Sequence, residues 1–139
     1  MNKADTVALV QRYLDAFNAN DVQGMLACLQ EDVAHDINEG GREIGQERFR
    51  WFMAVMNRHY REELSDIEVM ANEAGNRAAA EFTVRGTYLE TADGLPEANG
   101  QHYSMAAGIF FVIDDGLISR VTTYYNRADW IAQVEKGAG

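Results

Sequence analysis

Cysteine and proline are almost absent from this chain of 139 residues. Cys28 is the only cysteine, so no disulfide can form within the chain. Pro96 is the only proline, and it lies in the segment TADGLPEANG, residues 91–100. Glycines and small polar residues accompany it, which is typical of a loop at the rim of a structure. We therefore expect this loop to be mobile and to border a cavity mouth or a dimer edge.

Basic residues are also few, because 12 lysines and arginines stand against 22 aspartates and glutamates, for a net charge of -10. Such a surface repels phosphate groups, so we expect neither nucleic acid nor a membrane as a partner. No apolar run is long enough to span a bilayer. The first 17 residues carry charges throughout and lack the apolar centre of a signal peptide. These features predict a soluble, cytoplasmic protein.

Apolar residues, in contrast, make up 47% of the chain, and 10% of the residues are aromatic. This content argues against a disordered chain. A length of 139 residues is enough for one domain with a substantial core and too short for two typical domains. We expect residues 1–139 to form a single domain.

The first 60 residues have the apolar spacing of helices. Asp5 and Asp21 are placed to cap two helices, and Gly45 precedes a third. Between the second and third, VAHDIN at residues 33–38 predicts a short strand, and Gly40 with Gly41 predicts a turn. The apolar residues of the three helices are Val7, Val10, Tyr13, Leu14 and Phe17, then Val22, Met25, Leu26 and Leu29, then Phe49, Phe52, Met53, Met56 and Tyr60.

The remainder of the chain alternates between polar and apolar residues, as strands do. Four segments have this pattern, at residues 63–71, 77–90, 101–113 and 117–126, and residues 127–135 predict a short final helix. Helices followed by long antiparallel strands indicate an α+β fold with the helices on one face of a curved sheet. A sheet curved around helices encloses a pocket.

Several segments resemble one family. VQRYLDAFNANDVQGMLACLQED, residues 10–32, is similar to the two-helix opening of bacterial ketosteroid isomerases, and EFTVRGTY, residues 81–88, resembles their first long strand. The segments at residues 86–103 and 109–126 look like the loop, strand and glycine-turn pattern of polyketide cyclases. The chain thus resembles the ketosteroid isomerase and SnoaL-like polyketide cyclase group, which shares the fold of nuclear transport factor two. That resemblance implies a cone-shaped fold with a strongly curved, mostly antiparallel sheet around a hydrophobic pocket.

The resemblance also implies catalytic residues. Isomerases of this group move a proton beside a carbonyl with an aspartate base, a tyrosine donor and a protonated aspartate. The tripeptide QRY matches the donor to Tyr13, and the base matches Asp36 if one residue is missing before the short strand. If the missing residue falls after that strand, Ile37 takes the position of the base. The second acid falls at Ala107, within a segment that has no acid, so we do not expect isomerisation of steroids.

The same matching implies a set of pocket residues. Asn38 lies on the same side of its strand as Asp36, and Gly86 and Ala107 leave space where the steroid enzymes carry larger groups. The residues expected to contact the substrate are Asn38, Phe82, Val84, Tyr88, Met105, Ile109, Tyr124 and Asn126, with Gly86, Ala107, Phe111 and Thr122 also facing the pocket.

Each of these residues also has a purely structural interpretation. Adjacent side chains of a strand point to opposite faces, so His35 and Asp36 cannot both enter the pocket, and the resemblance favours Asp36. A carboxylate at a strand end is more often solvated than catalytic. Tyr13 could be an ordinary core tyrosine, and Asn126 could bond to backbone at the end of its strand.

The outward face of the sheet provides the last observation. Val112, Val121, Thr123, Tyr125 and Phe110 are expected there, and so apolar a face predicts a partner. Together with the resemblance, this predicts a symmetric homodimer.

We therefore expect a cofactor-free isomerase or cyclase that transfers a proton on a small hydrophobic carbonyl compound. The alternative is a non-catalytic ligand-binding or carrier protein. His35, His59 and His102 lack the spacing of a metal site, so no metal is expected.

Overall fold

The structure is a computed structural model that describes residues 1–138. Its helices are α1 (Lys3–Asn18), α2 (Val22–Leu26), α3 (Gln46–His59) and α4 (Arg127–Ala138). Its strands are β1 (Leu29–Asp36), β2 (Arg42–Ile44), β3 (Tyr60–Ala71), β4 (Arg77–Tyr88), β5 (His102–Asp114) and β6 (Leu117–Tyr125). None of these helices is long and apolar enough to cross a membrane.

The helix starts follow local capping rules. Asp21 caps α2 as predicted, since its carboxylate accepts a hydrogen bond from the Gly24 N–H at 2.9 Å. The cap of α1 is Asn2, so the assignment of that role to Asp5 was wrong. Asn2 Oδ1 accepts from the Asp5 N–H at 2.9 Å, while the Asp5 carboxylate accepts from the Asn2 N–H at 3.2 Å. The helix thus begins about one turn earlier than predicted, and Asp5, at its third position, completes the reciprocal cap with Asn2.

The six strands form one curled, open sheet in the order β2-β1-β6-β5-β4-β3. All neighbours are antiparallel except β1 and β6, which are parallel. The α+β fold with helices packed on a curved sheet is therefore confirmed. Strand β2 was not predicted, because its three residues are too few to display a recognisable alternation.

A bulge in β6 decides which of its residues face inward. Val112 pairs with Arg120, but the next residue of β5 pairs with Ile118, so Ser119 is an extra residue in the ladder. Ile118 is buried before the bulge, and Val121, only 1% exposed, is buried after it. Simple alternation from Ile118 would turn Thr122 and Tyr124 inward, and the bulge reverses that direction.

The outward face therefore differs from the predicted one. Val121 is in the core, while Thr123 and Tyr125 line the interior cavity. Of the five residues predicted to face outward, Phe110 is exposed and Val112 is half-buried. Tyr124 takes the outward place expected for Tyr125, because the bulge shifts the alternation by one residue.

The loop before β5 closes one side of the interior. The Tyr88 hydroxyl donates to the Pro96 carbonyl at 2.7 Å and accepts from the Ala92 N–H at 3.0 Å. Leu95 lines the cavity, so the loop borders it as expected. The predicted mobility of residues 91–100 stays a prediction.

Candidate active site

A cavity of about 1180 Å³ lies between the concave face of the sheet and the helices. Much of its wall is apolar or aromatic, which suits a hydrophobic ligand. Four residues predicted to contact the substrate are on this wall, namely Phe82, Val84, Met105 and Ile109. Asn38 and the alanine at position 107 also border the cavity. Contact of these side chains with a ligand stays a prediction.

Tyr13 lies on the cavity wall in the position expected for it. Its ring is 4% exposed and meets Phe111 edge-on, with ring centroids 5.7 Å apart. Burial holds the pKa of the Tyr13 hydroxyl well above its usual range, and the nearby Cys28 adds to that effect. The hydroxyl is therefore protonated at neutral pH and is able to donate a hydrogen bond.

Asp36 does not enter the cavity, so its predicted inward direction was wrong. Arg42 contacts both carboxylate oxygens, at 2.6 and 3.1 Å, and the Thr122 hydroxyl donates to one of them at 2.7 Å. The hydrogen bond from Arg42 is the main cause that lowers the pKa of Asp36 to about 2. Partial desolvation opposes this effect, and the hydrogen bond from Thr122 adds to it. This is the reverse of the raised pKa that a buried base requires. The Asp36 carboxylate, at the end of β1, thus links the edge strand β2 to β6.

The cause of this difference is the direction of β1. Val33 is fully buried and His35 is 5% exposed, so the odd-numbered residues in the second half of this strand face inward. Ile37 continues that series and lines the cavity, in agreement with the alternative placement of the missing residue. The parallel pairing of Asp36 with Thr122 leaves the carboxylate on the outer side.

His35 accordingly occupies the interior, where Asp36 had been expected. Its ring lies 5.1 Å from that of Phe49 and 4.7 Å from that of Phe52, and it lines the cavity. Its Nδ1 atom is buried and has no hydrogen-bond partner among residues 1–138. Burial lowers the pKa of His35, against the weaker opposing influence of Glu43 and Asp36.

Three other predicted contact residues lie elsewhere. Tyr124 is 58% exposed on the outer face, where its ring meets Phe110 edge-on at 5.8 Å, because of the β6 bulge. Asn126 is exposed, and its side chain accepts from the Asp129 N–H at 3.0 Å, which caps α4. Tyr88 is fully buried, and both hydrogen bonds of its hydroxyl go to the loop. The same bulge turns Thr122 outward, towards Asp36.

The structure brings one carboxyl group into the cavity that the sequence analysis did not identify. Glu62 on β3 lines the cavity and accepts a hydrogen bond of 2.5 Å from the Tyr103 hydroxyl. Burial raises the pKa of Glu62, and the hydrogen bond from Tyr103 opposes that rise. Burial beside Glu62 also raises the pKa of the Tyr103 hydroxyl far above its usual range. The proton of this pair therefore resides on Tyr103 whenever Glu62 is ionised.

This pair reaches across a strand through a glycine. Glu62 pairs with Gly86, and Gly86 pairs with Tyr103, so the two partners are separated by a whole strand. Strands are about 4.8 Å apart, so only a side chain lying flat across the middle strand spans the distance. A Cβ atom at position 86 would lie 2.3 Å from Tyr103 Cζ and 2.4 Å from its hydroxyl oxygen. The space expected at Gly86 is thus filled by the Tyr103 ring, not by a ligand.

Further polar groups surround this pair. The ring of Trp130 lies edge-on to those of Tyr103 and Tyr60, at 5.8 and 5.7 Å. Burial raises the pKa of Tyr60 to about 12, so its hydroxyl is a donor at neutral pH. Asn38 accepts from the Tyr125 N–H at 3.2 Å, whereas its buried Nδ2 has no partner in the described part of the chain. The cavity lining therefore combines the Glu62 carboxyl group with the hydroxyls of Tyr60 and Tyr103, whereas Asn38 comes from beyond β1, three strands away.

Glu62 was missed because it lies where one element ends and the next begins. The apolar spacing of α3 extends to Tyr60, and the alternation of the next strand was recognised only from Glu63. The signal that could have found it is the alternation of Tyr60, Glu62 and Leu64, which places Glu62 on the inner face. Among residues 1–138, no group of three or more histidine, cysteine or acidic side chains could hold a metal ion.

Comparison with known proteins identifies the family. A proposed polyketide cyclase from Xanthomonas campestris pv. campestris is 53% identical, with a TM-score of 0.93, over 95% of this chain and 98% of that one. A second, from Pseudomonas putida, is 57% identical, with a TM-score of 0.91, over 92% of this chain and 96% of that one. A nuclear transport factor two-like protein of unknown function from Burkholderia pseudomallei has the same fold, with a TM-score of 0.78. It is 20% identical, over 94% of this chain and 97% of that one.

A comparison with curated proteins found no match. The model of the SnoaL-like domain matches residues 10–121, which is most of the chain. The curled sheet, the helices packed on it and this match agree, and the chain belongs to the SnoaL-like domain family.

Proposed function

We propose that the protein is a cofactor-free cyclase or isomerase that uses Glu62 to move a proton on a small hydrophobic carbonyl compound. The observation that carries the proposal is the Glu62 carboxyl group, which faces an apolar cavity and accepts a 2.5 Å hydrogen bond from Tyr103. A base with a raised pKa removes a weakly acidic proton more effectively than an ordinary carboxylate. Glu62 takes the place of the base that the resemblance had assigned to Asp36.

The chemistry begins with the removal of a proton from a carbon beside the carbonyl group. The carboxylate of Glu62 takes the proton, and the electron pair of the broken C–H bond moves onto the carbonyl oxygen as an enolate. The Tyr60 hydroxyl, two residues before Glu62 on the same face of β3, is a donor on this side of the cavity that suits such an oxygen. In an isomerisation, Glu62 returns the proton to another carbon. In a cyclisation, the enolate carbon bonds to a second carbonyl carbon of the same molecule, and Glu62 protonates the resulting alkoxide.

The comparisons support cyclisation over isomerisation. Three relatives that share more than half of their residues with this chain are named as proposed polyketide cyclases. A cavity of about 1180 Å³ is at the large end for small-molecule sites, which suits a compound of several rings or a chain that folds into them.

The test is the exchange of α-hydrogens of 2-tetralone, a hydrophobic bicyclic ketone, measured by NMR in D₂O. We expect saturable acceleration by the protein and a loss of at least about 10²-fold in Glu62→Gln, which keeps the shape but removes the base. Asp36→Asn is the matched control, because it neutralises a carboxylate outside the cavity, and its rate should equal that of the wild type. No acceleration by the wild type, or full activity in Glu62→Gln, would overturn the proposal.

The alternative function is that of a non-catalytic carrier. It is favoured by the outward direction of Asp36, which leaves the cavity without the base that the resemblance implied. Native mass spectrometry distinguishes the two functions together with the exchange assay. A ligand retained from expression, combined with no exchange of 2-tetralone, is the result expected of a carrier.

We further propose that the protein forms a homodimer through the outer face of the sheet. Phe110 and Tyr124 are 49% and 58% exposed there and form an edge-to-face pair. Glu81 and Arg85 project from the same face of β4, two residues to either side of Thr83. A two-fold axis near Thr83 would therefore place the Glu81 of each protomer beside the Arg85 of the other. Phe110→Glu should then shift sedimentation from dimer to monomer, and a monomeric wild type at micromolar concentration would contradict this. The cytoplasmic location and the single domain stay predictions.

A further inference from the structure

His35 is a deeply buried polar side chain on the cavity wall that the proposed chemistry leaves without a role. It is 5% exposed and lies between the rings of Phe49 and Phe52. A histidine enclosed by aromatic rings has lost its water, and a buried polar atom without a partner lowers the stability of the free protein. Because Nδ1 is enclosed, the other ring nitrogen, Nε2, is the atom through which His35 could bond to a ligand.

The surroundings of the ring determine which nitrogen carries the proton. Burial keeps the imidazole neutral, so one nitrogen donates and the other accepts. Nδ1 is enclosed and has no acceptor to donate to among residues 1–138. A buried N–H without an acceptor is rarer in proteins than an acceptor left unpaired, so the hydrogen belongs on Nε2. Nε2 makes no hydrogen bond within residues 1–138 and, unlike Nδ1, is not fully enclosed, so on the cavity wall it is the nitrogen that a ligand can reach.

We infer that His35 is a ligand-binding residue that donates a hydrogen bond from Nε2–H to an oxygen acceptor of the ligand. Its position separates it from the proposed proton-transfer group, because three strands, β6, β5 and β4, lie between β1 and β3. Because the sheet curls, His35 and Glu62 face one cavity from different walls. The ligand therefore carries at least two oxygen functions on an apolar frame, one beside Glu62 and a second one that accepts from His35.

The two-oxygen ligand rests on the proposed function, whereas the donor role of His35 needs only the cavity. A carrier without any catalysis would use the same residue in the same way. The test is therefore one of binding, and it is independent of the rate of α-hydrogen exchange that tests Glu62.

The probes are 2-acetylnaphthalene and 2-isopropenylnaphthalene, which have nearly the same shape but present C=O and C=CH₂ respectively. Titration followed by naphthalene fluorescence gives both dissociation constants. In His35→Phe, which keeps an aromatic ring but removes the donor, we expect affinity for the ketone to fall by about 10-fold relative to the alkene. His35→Gln should keep the preference, because its amide N–H₂ lies near the position of Nε2, and His35→Asn should lose it.

Two outcomes would overturn the inference. One is an equal change in affinity for the two probes in His35→Phe, which is the result expected if the ring only fills space. The other comes from ¹⁵N NMR of the wild type, which needs no variant to fold. There we expect the Nε2–H tautomer at pH 7 and a shift of its proton signal with 2-acetylnaphthalene but not with the alkene. A proton on Nδ1, or no response to the ketone, would contradict the proposed role.

Discussion

Gly86→Ala is the smallest change that should separate Glu62 from Tyr103. The added methyl group would lie 2.3 Å from Tyr103 Cζ, 2.4 Å from the hydroxyl oxygen and 2.5 Å from Cε2. Ordinary van der Waals contact begins at 3.4 Å, so the flat ring must lift by about 1 Å along its whole outer half. Tyr103 cannot lift by that amount and keep a 2.5 Å hydrogen bond to Glu62.

The expected loss of stability has two parts. Overpacking of a filled site costs about 1–3 kcal/mol. Loss of the hydrogen bond from Tyr103 to the Glu62 carboxylate costs about 1.5–3 kcal/mol. Replacement of glycine in a strand returns about 0.4–1 kcal/mol through the unfolded chain. We therefore expect Gly86→Ala to lower the free energy of unfolding by about 1.5–5.5 kcal/mol and to slow the exchange of 2-tetralone.

Urea unfolding at one fixed protein concentration measures this free energy, and a double-mutant cycle tests the cause. In a Tyr103→Ala background the obstructing ring is absent, so Gly86→Ala should cost less than about 0.5 kcal/mol. Gly108→Ala is the matched control, since its Cβ would meet only the Ala80 carbonyl oxygen, at 3.4 Å. Equal costs of Gly86→Ala with and without the Tyr103 ring would refute the reasoning.

Three further predictions concern residues around the site. Asp36→Asn should lower the unfolding free energy by about 1 kcal/mol at pH 7, because it breaks a partly solvated ion pair. Urea unfolding should show this difference from the wild type shrinking as pH falls from 3.8 through about 2, because the wild-type carboxylate becomes protonated there. Because the pKa of Glu62 is raised on folding, its stabilising contribution is complete below its unfolded pKa and is lost as pH rises through its folded pKa. As pH rises, the unfolding free energy of Glu62→Gln should therefore increase relative to that of the wild type. A difference between the two proteins that stays constant from pH 4 to 8 would count against the raised pKa of Glu62. Tyr88→Phe removes both hydrogen bonds that hold the loop, so amide hydrogen exchange should quicken across residues 91–100 with little change in β4, and uniform protection would disagree with this role.

Much of the architecture could be predicted from the sequence, because it depends on patterns within single elements. The apolar spacing that includes Tyr13 produces α1, and Asp21 caps α2 through the residue three positions later. The alternation of Phe82 with Val84, and of Met105 with Ile109, places all four on the cavity wall. These features require only that a helix or strand continues without interruption, which local sequence determines.

Tertiary structure decided which polar groups enter the cavity. The extra residue Ser119 exchanges the inward and outward faces of the β6 residues that follow it. The pairing of β1 with β6 directs His35 inward and Asp36 outward. A shift of one residue exchanges the two faces of a strand, and such a shift is a property of two paired strands that neither sequence segment displays alone. The contact of Glu62 with Tyr103 requires three strands in register, with a glycine in the middle one. The sequence by itself therefore determined the shell of the cavity, whereas the pairing of distant strands determined its chemistry.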